Sequence, residues 1–370
     1  MKKIDRVIGI DLGNGLTNVR SVYPDGSPYT LTLPSAFSYK DQVGVSFGDA
    51  GRMYEVETYE IDGTEYVWGS DVFKLPKIVH TATFSDQRYQ TENYRLFVKI
   101  VLARVARDID LTASEQVLIS TGVPADQTRE NAVKLIKDSF LEGNGDREGL
   151  HRVTVEKEEY AINVADVLIT SQPLATVLSY YLDEQGLVKD KSIVEKKIAV
   201  IDVGGGTTDL DTLLHFNRQQ NHVSKPTGFR DVYHDIRNYI KRESEGGNVE
   251  INDYHLLHTI EKAERQAKED DRDPVYMYRI SDKTSPVDFT QAYYASLNKI
   301  GMAINQFIAD QWSDIKQFDR VFLVGGSAKR LAPYIKILDN PDFPKDPGMS
   351  NVEGYYNFGV SSAKKAASKK

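Results

Sequence analysis

Two carboxylates, Asp11 and Asp202, occupy the same place in the same local pattern. In Ile198–Asp209 an apolar run ends in Asp202, is followed by Val203 and the triple glycine Gly204-Gly205-Gly206, and resumes as Thr207-Thr208-Asp209. In Val7–Val19 an apolar run ends in Asp11, is followed by Leu12 and Gly13-Asn14-Gly15, and resumes at Leu16. An apolar run bounded by turn residues reads as a buried strand and the alternating stretch beyond it as a second, so each pattern is a hairpin. Glycines at the tip let successive backbone N–H groups converge on an anion without a Cβ in the way. A carboxylate at the mouth of such a nest suits a hydrated Mg²⁺ rather than the phosphate itself, because bare carboxylate and phosphate repel. The chemistry indicated is the binding of a polyphosphate with a divalent cation.

Either stretch alone would read as an ordinary glycine-containing hairpin. The pair, about one domain's length apart, reads as two halves of one architecture facing each other with a nucleotide between them. Other phosphate cradles are excluded by spacing: there is no G-x-x-x-x-G-K-[ST], and neither glycine turn opens a helix as a dinucleotide fingerprint must.

The elements that must position these turns follow from the chain's size and patterning. At 370 residues it is long enough for two substantial cores, and 40% hydrophobic with 27% charged residues is ordinary for a globular protein. Acidic residues outnumber basic ones, 54 to 46, giving a net charge of −8, so bulk charge does not favour nucleic acid. The absence of cysteine excludes disulfides, thiol catalysis and cysteine metal sites. The Met-Lys-Lys start is not followed by a signal-length apolar run, being interrupted by Asp5, Arg6 and Asp11. No stretch approaches the roughly 18 apolar residues of a membrane span. A cytoplasmic location without direct membrane binding is expected.

Residues 24–90 read as a strand-rich insertion, Asn93–Asp108 as an amphipathic helix, Gln116–Ser120 as a strand and Glu130–Leu141 as a helix. After the charged, turn-rich segment 144–159 come a strand at Val164–Ile169 and a helix with Pro173 near its first position, ending near Gly186. Residues 187–197 form a charged connector. Beyond the second hairpin, 219–248 is polar, Asp253–Lys268 helical, Val275–Ile280 a strand, and Phe289–Asp310 a helix with Leu297, Ile300, Ile304 and Phe307 on one face. Arg320–Val324 is a buried strand ending in Gly325-Gly326-Ser327, and Leu331–Leu338 is helical. His255 and His258 share one helix face but lack a third ligand, and the lysines at 364, 365, 369 and 370 read as a solvated tail.

The order of these pieces, the Asp11 hairpin, Gln172 before Pro173-Leu174-Ala175, the Asp202 hairpin and the Gly325-Gly326 strand end, resembles the signature of the actin, sugar kinase and heat-shock chaperone ATPase superfamily over nearly the whole chain. The resemblance implies an α/β, actin-like (ribonuclease H-like, duplicated) two-domain ATPase fold with nucleotide in the interdomain cleft. Domain I would be 1–186, with an insertion at about 34–90 and completed by 346–370. Domain II would be 187–345, with a small subdomain at about 219–268. It also implies that Asp11 and Asp202 hold Mg²⁺ through water. Gly13, Asn14, Gly15, Leu16, Gly204, Gly205, Gly206 and Thr207 would bind phosphates, and Gly325, Gly326 and Ser327 would lie against ribose and base. Gln172 would orient the attacking water, the alternative being a helix-cap role before Pro173. Glu261 and Lys262 would face adenine, the alternative being a solvated charged face. Where actin has a phosphate-contacting lysine this chain has Asn18, and Arg20 on the same strand face is the substitute considered.

An amide at Gln172 orients water but is a poor base for a substrate hydroxyl, which favours slow hydrolysis over phosphoryl transfer to a metabolite. Leu118–Pro124, Asn93-Tyr94 and Ser350–Tyr356 are similar to the ParM/StbA-type plasmid-segregation ATPases. That resemblance implies a filament-forming protein that uses Mg²⁺ with ATP or GTP, polymerises head to tail with itself, and reaches plasmid DNA through an adaptor rather than directly. The rivals are an MreB-like cytoskeletal protein and a monomeric kinase or chaperone-type ATPase of the same superfold.

Overall fold

A computed structural model describes residues 3–43, 54–81, 86–124, 130–219, 222–244, 251, 253–280 and 285–368. Lys369 and Lys370, the first two residues and parts of the anticipated insertion and small subdomain lie outside the described residues. The chain forms two compact units: Met1–Lys196 with Leu213–Gln219 and Met349–Lys370, and Lys197–Thr212 with Gln220–Gly348.

Unit 1 is built on a ten-stranded sheet. Its strands are β1 (Arg6–Leu12), β2 (Leu16–Val22), β3 (Pro28–Pro34), β4 (Ala36–Tyr39), β5 (Glu57–Ile61), β6 (Thr64–Trp68), β7 (Val79–His80), β8 (Gln116–Val123), β9 (Leu150–Val155) and β10 (Glu158–Ser171). Their order is β3-β2-β1-β8-β10-β9-β5-β6-β4-β7. The centre is parallel, β1 beside β8 beside β10, while β1, β2 and β3 form an antiparallel meander. Strands buried on both faces need continuous apolar runs, and β1 and β8 have them: Val7, Ile8, Ile10, Val117, Leu118 and Ile119 are all buried.

Helix α1 (Glu92–Asp108) starts at Thr91, whose side chain accepts a hydrogen bond from the Tyr94 N–H, and buries Phe97, Ile100, Val101 and Val105. Helix α2 (Glu130–Leu141) buries Ile136 and Phe140 in the same core. Helix α3 (Gln172–Tyr181) follows β10 directly.

Unit 2 carries a smaller sheet, β11 (Lys197–Val203), β12 (Thr208–Leu214), β13 (Asn217–Arg218), β14 (Val223–Lys225) and β17 (Arg320–Val324), with the β13 end of the hairpin clustering with unit 1. A separate two-stranded ribbon joins β15 (Met277–Tyr278) to β16 (Val287–Asp288). Its helices are α4 (Phe229–Glu243), α5 (Asp253–Glu269), α6 (Thr290–Gln311) and the short α7 (Ala328–Leu331). Leu297, Ile300, Ile304 and Phe307 of α6 are buried with Phe229, Val232, Ile236 and Ile240 of α4 in one core.

The last helix, α8 (Ser350–Ala367), belongs to unit 1 and packs on α3 and β1. Thr176 donates to Asn351 Oδ1 at 2.8 Å and Asn357 donates to the Leu182 carbonyl at 3.1 Å, so two buried polar bonds tie α8 to α3 and the residue that ends it.

Several local readings change. The expected Leu331–Leu338 helix is instead α7 and a single 3-10 turn ending at Tyr334, and the strand expected over Val275–Ile280 is only Met277–Tyr278. The segment 144–159 contains β9 and the start of β10, joined by Glu156 and Lys157 with φ of 48° and 80°, the two left-handed residues of a tight hairpin turn. The polar stretch 219–248 contains α4, whose apolar residues form one narrow buried stripe. Lys364 and Lys365 lie on α8 rather than in a tail, and Lys364 Nζ donates to the Gln185 carbonyl at 2.8 Å.

Candidate functional site

In unit 1 the site residues hang on the β1–β2 hairpin. Asp11 is the penultimate residue of β1 and pairs in register with Asn18. A Cβ on Gly13 would stand 2.7 Å from the Leu16 carbonyl oxygen, so the turn requires glycine there, while the Cβ position of Gly15 opens onto free space. Asn14, Gly15 and Leu16 are exposed at the tip.

Ser171 is the N-cap of α3 and Gln172 its first residue, ahead of Pro173. The Gln172 side chain stands close enough to Asp11 to act on its carboxyl. Desolvation pushes the Asp11 carboxyl up to about 6, against the opposing pull of the Arg88 charge and of the Gln172 side chain. Arg88 itself, buried in the turn of helix just before α1, donates from Nη1 to Asn14 Oδ1 at 2.8 Å and from Nη2 to the Tyr89 hydroxyl at 2.9 Å.

Asn18 accepts a hydrogen bond from Thr32 Oγ1 at 2.9 Å. Arg20 pairs in register with Gly9, two steps from the Asp11 level, and its guanidinium is engaged by Glu184 at 3.1 Å, by the Ser21 carbonyl and by the Tyr356 ring at 4.7 Å. A buried guanidinium needs its donors satisfied, and here Glu184 and the Ser21 carbonyl accept from it while the Tyr356 ring of α8 covers its face, so Arg20 is already committed.

In unit 2 Asp202 is the penultimate residue of β11, as Asp11 is of β1. The Gly204 N–H closes the turn by donating to the Thr207 carbonyl at 2.9 Å, and the Thr207 hydroxyl donates to Asp209 at 2.8 Å. The Gly204 and Gly205 carbonyls accept from the Phe229 and Arg230 N–H groups at 3.3 and 2.7 Å, which seats the start of α4 on the turn. The Cβ positions of Gly205 and Gly326 open onto free space.

Gly325 follows β17 with φ +100°. The Ser327 N–H donates to the Val203 carbonyl at 3.1 Å, fastening this turn to the end of β11, and Ser327 occupies the N-cap position of α7 without a side-chain cap bond.

Glu261 and Lys262 are exposed on α5. The residue of α5 that faces α7 is Glu264, whose two oxygens take Arg330 Nε and Nη2 at 3.1 and 3.0 Å, with Glu261 farther off at 3.7 Å. Nothing in the local sequence marks Glu264 or Arg330, although Glu264 shares Glu261's helix face at the i, i+3 spacing. Arg88 had no local signal at all.

Each unit thus presents a carboxylate at the end of a strand, a glycine turn with an open approach and polar side chains around it. These hard oxygen donors suit a magnesium ion held through water. Among the described residues no group of three or more His, Cys, Asp or Glu could hold a metal directly, His255 and His258 included. No helix among them is long and apolar enough to cross a membrane.

A duplicated strand–carboxylate–glycine-turn hairpin, each beside a parallel strand, on mixed α/β units defines an actin-like fold, and the comparisons agree. Residues 9–174 match the family model for the actin like proteins N terminal domain. The apo psk41 ParM structure is similar at 20% identity over 99% of each chain, TM-score 0.69. Bacillus thuringiensis ParM with ATP matches at 14% identity over 99% of this chain and 100% of that one, TM-score 0.69. A 15-stranded ParM filament from Clostridium botulinum matches at 18% identity over 96% and 99%, TM-score 0.70. No curated protein matches the chain significantly. The chain has an actin-like fold similar to that of the ParM structures, and its residues 9–174 match the actin-like N-terminal domain.

Proposed function

We propose that this protein is a filament-forming nucleoside triphosphatase that polymerises head to tail with Mg·ATP, or Mg·GTP, hydrolyses it, and moves plasmid DNA through an adaptor. The observation that carries the reading is the placement of Gln172 beside Asp11 at the first glycine turn. An amide in that place orients water without being a strong base, which suits slow hydrolysis that follows assembly. Solved proteins of this fold include one with ATP and one described as a filament, which supports the same reading.

In this proposal Asp11 and Asp202 hold Mg²⁺ through water, and the ion would neutralise phosphate charge and orient the polyphosphate. The residues of the two glycine turns contact phosphates, with the Gly204 N–H kept for the turn itself. Gly325, Gly326 and Ser327 lie against ribose and base, near the Glu264–Arg330 pair that joins α5 to α7.

A light-scattering time course after adding ATP and Mg²⁺ tests the proposal: growth followed by decay is expected. A flat trace with ATP and with GTP, at high protein concentration, rejects it in favour of a monomeric ATPase.

A further inference from the structure

We propose that Arg88 is the phosphate-contacting cation of the Gly13–Leu16 turn. The inference rests on the nucleotide-binding reading of this hairpin. A polyphosphate brings several negative charges to a turn whose own strand already ends in a carboxylate, so positive charge must come from somewhere beyond the metal. Within the β1–β2 hairpin the cations are Arg6 and Arg20, and both are already committed: Arg6 to Glu115 at 2.8 Å, Arg20 to Glu184 at 3.1 Å.

Arg88 differs from them in three ways. It reaches the turn from a distant stretch of chain and bonds Asn14 at the tip at 2.8 Å. Among the described residues no carboxylate lies at ion-pair distance from it, although its charge acts on Asp11. Its Nε–H is buried with no acceptor among the described residues, a costly state that a small shift of the guanidinium towards an anion would relieve.

The guanidinium is also held in advance. Its plane packs over the Tyr89 ring at 4.7 Å while Nη2 donates to the Tyr89 hydroxyl, and Tyr89 is in turn wedged edge-on against Tyr94 of α1 at 5.2 Å. A planar fork fixed on two sides loses little entropy when a phosphate oxygen arrives, which is where arginine exceeds lysine. The chemistry recognised is a nucleoside polyphosphate, with the contribution of Arg88 rising with the number of phosphates.

Calorimetry of the wild type, Arg88→Gln and Arg88→Lys against ATP, ADP and AMP, all with Mg²⁺, tests this. The expected result is a loss of roughly 10- to 100-fold in ATP affinity for Arg88→Gln, shrinking through ADP to AMP, with partial recovery in Arg88→Lys. Unchanged ATP affinity in Arg88→Gln, or an equal loss for all three nucleotides, overturns the inference while leaving nucleotide binding intact. A wild type that binds none of the three removes the underlying reading, and this inference with it. If Arg88→Gln does not fold, a crystal structure of the wild-type chain with Mg²⁺ and a slowly hydrolysed ATP analogue decides. A guanidinium nitrogen within about 3.2 Å of a phosphate oxygen upholds the inference, and a larger separation overturns it.

Discussion

The backbone of Gly325 lies directly against the carboxylate of Asp202: a Cβ built at Gly325 would stand 2.3 Å from Asp202 Oδ1 and 2.5 Å from the Val203 carbonyl oxygen. Two features of the proposed site, the metal-side carboxylate and the strand end after β17, are therefore one packed unit. Its φ of +100° adds a conformational demand that L-residues meet poorly. Gly325→Ala is expected to destabilise unit 2 by about 2 kcal/mol or more, and to weaken Mg·ATP binding beyond what the stability loss explains, because Asp202 must move. Thermal unfolding together with calorimetry checks both. A variant with wild-type stability would mean that Gly325 does not pack against Asp202 as described.

Gln172 gives a separation of binding from chemistry. Because Gln172 stands beside Asp11 while Ser171 occupies the N-cap, removing the side chain should leave α3 intact. Gln172→Ala is expected to bind ATP within a few-fold of wild type, to assemble, and to hydrolyse roughly 10²-fold more slowly, giving longer-lived polymer. Phosphate release measured beside light scattering is the check. Wild-type hydrolysis would return Gln172 to a structural role.

His151 makes the stability of unit 1 depend on pH. It is fully buried on β9, its Nε2 bonded to the Phe140 carbonyl at 2.7 Å and its Nδ1 without a partner among the described residues. Burial, aided by the Lys99 charge and opposed by the Phe140 bond, brings its pKa down to about 4. The folded value lies below the unfolded one, so above about pH 6.5 both states are neutral and the full stability is present. As pH falls from about 6.5 towards 4, the unfolded chain takes up the proton first and stability declines, by about 3 kcal/mol once both values are passed. Denaturant midpoints between pH 7 and 4.5 should show a fall that is shallower in His151→Gln. Parallel slopes in the two proteins would refute the assignment.

What the sequence makes legible is what is local. The strand, carboxylate and glycine of each hairpin are adjacent in the chain, and their repetition identifies the fold. The long stripes of α1 and α6 follow the helical period. Four features escape for physical reasons. The four buried residues of α4 are diluted by a polar majority, and the Glu156-Lys157 turn lacks the glycine or asparagine that marks left-handed backbone. Strand alternation puts Arg20 on the right face of β2, but not what lies beside that face, where Glu184 and Tyr356 claim it. Arg88, Glu264 and Arg330 become neighbours of the proposed site through tertiary packing, which no periodicity encodes.

Assembly itself gives the last prediction. A contact between one end of a molecule and a different end of the next copy does not close on itself, so it propagates as a filament. A nucleotide can drive that contact only as far as it favours the assembling conformation over the other, so triphosphate and diphosphate must differ in their effect if hydrolysis is to limit filament life. The net charge of −8 on each copy opposes association, and screening by moderate salt reduces that repulsion. Sedimentation is therefore expected to show polymer above a critical concentration with ATP or a slowly hydrolysed analogue, little with ADP, and a critical concentration that falls between low and moderate ionic strength. A critical concentration that is equal for ATP and ADP would separate assembly from the nucleotide site. One that rises steadily with salt would mean that opposite charges hold the contact together despite the net charge.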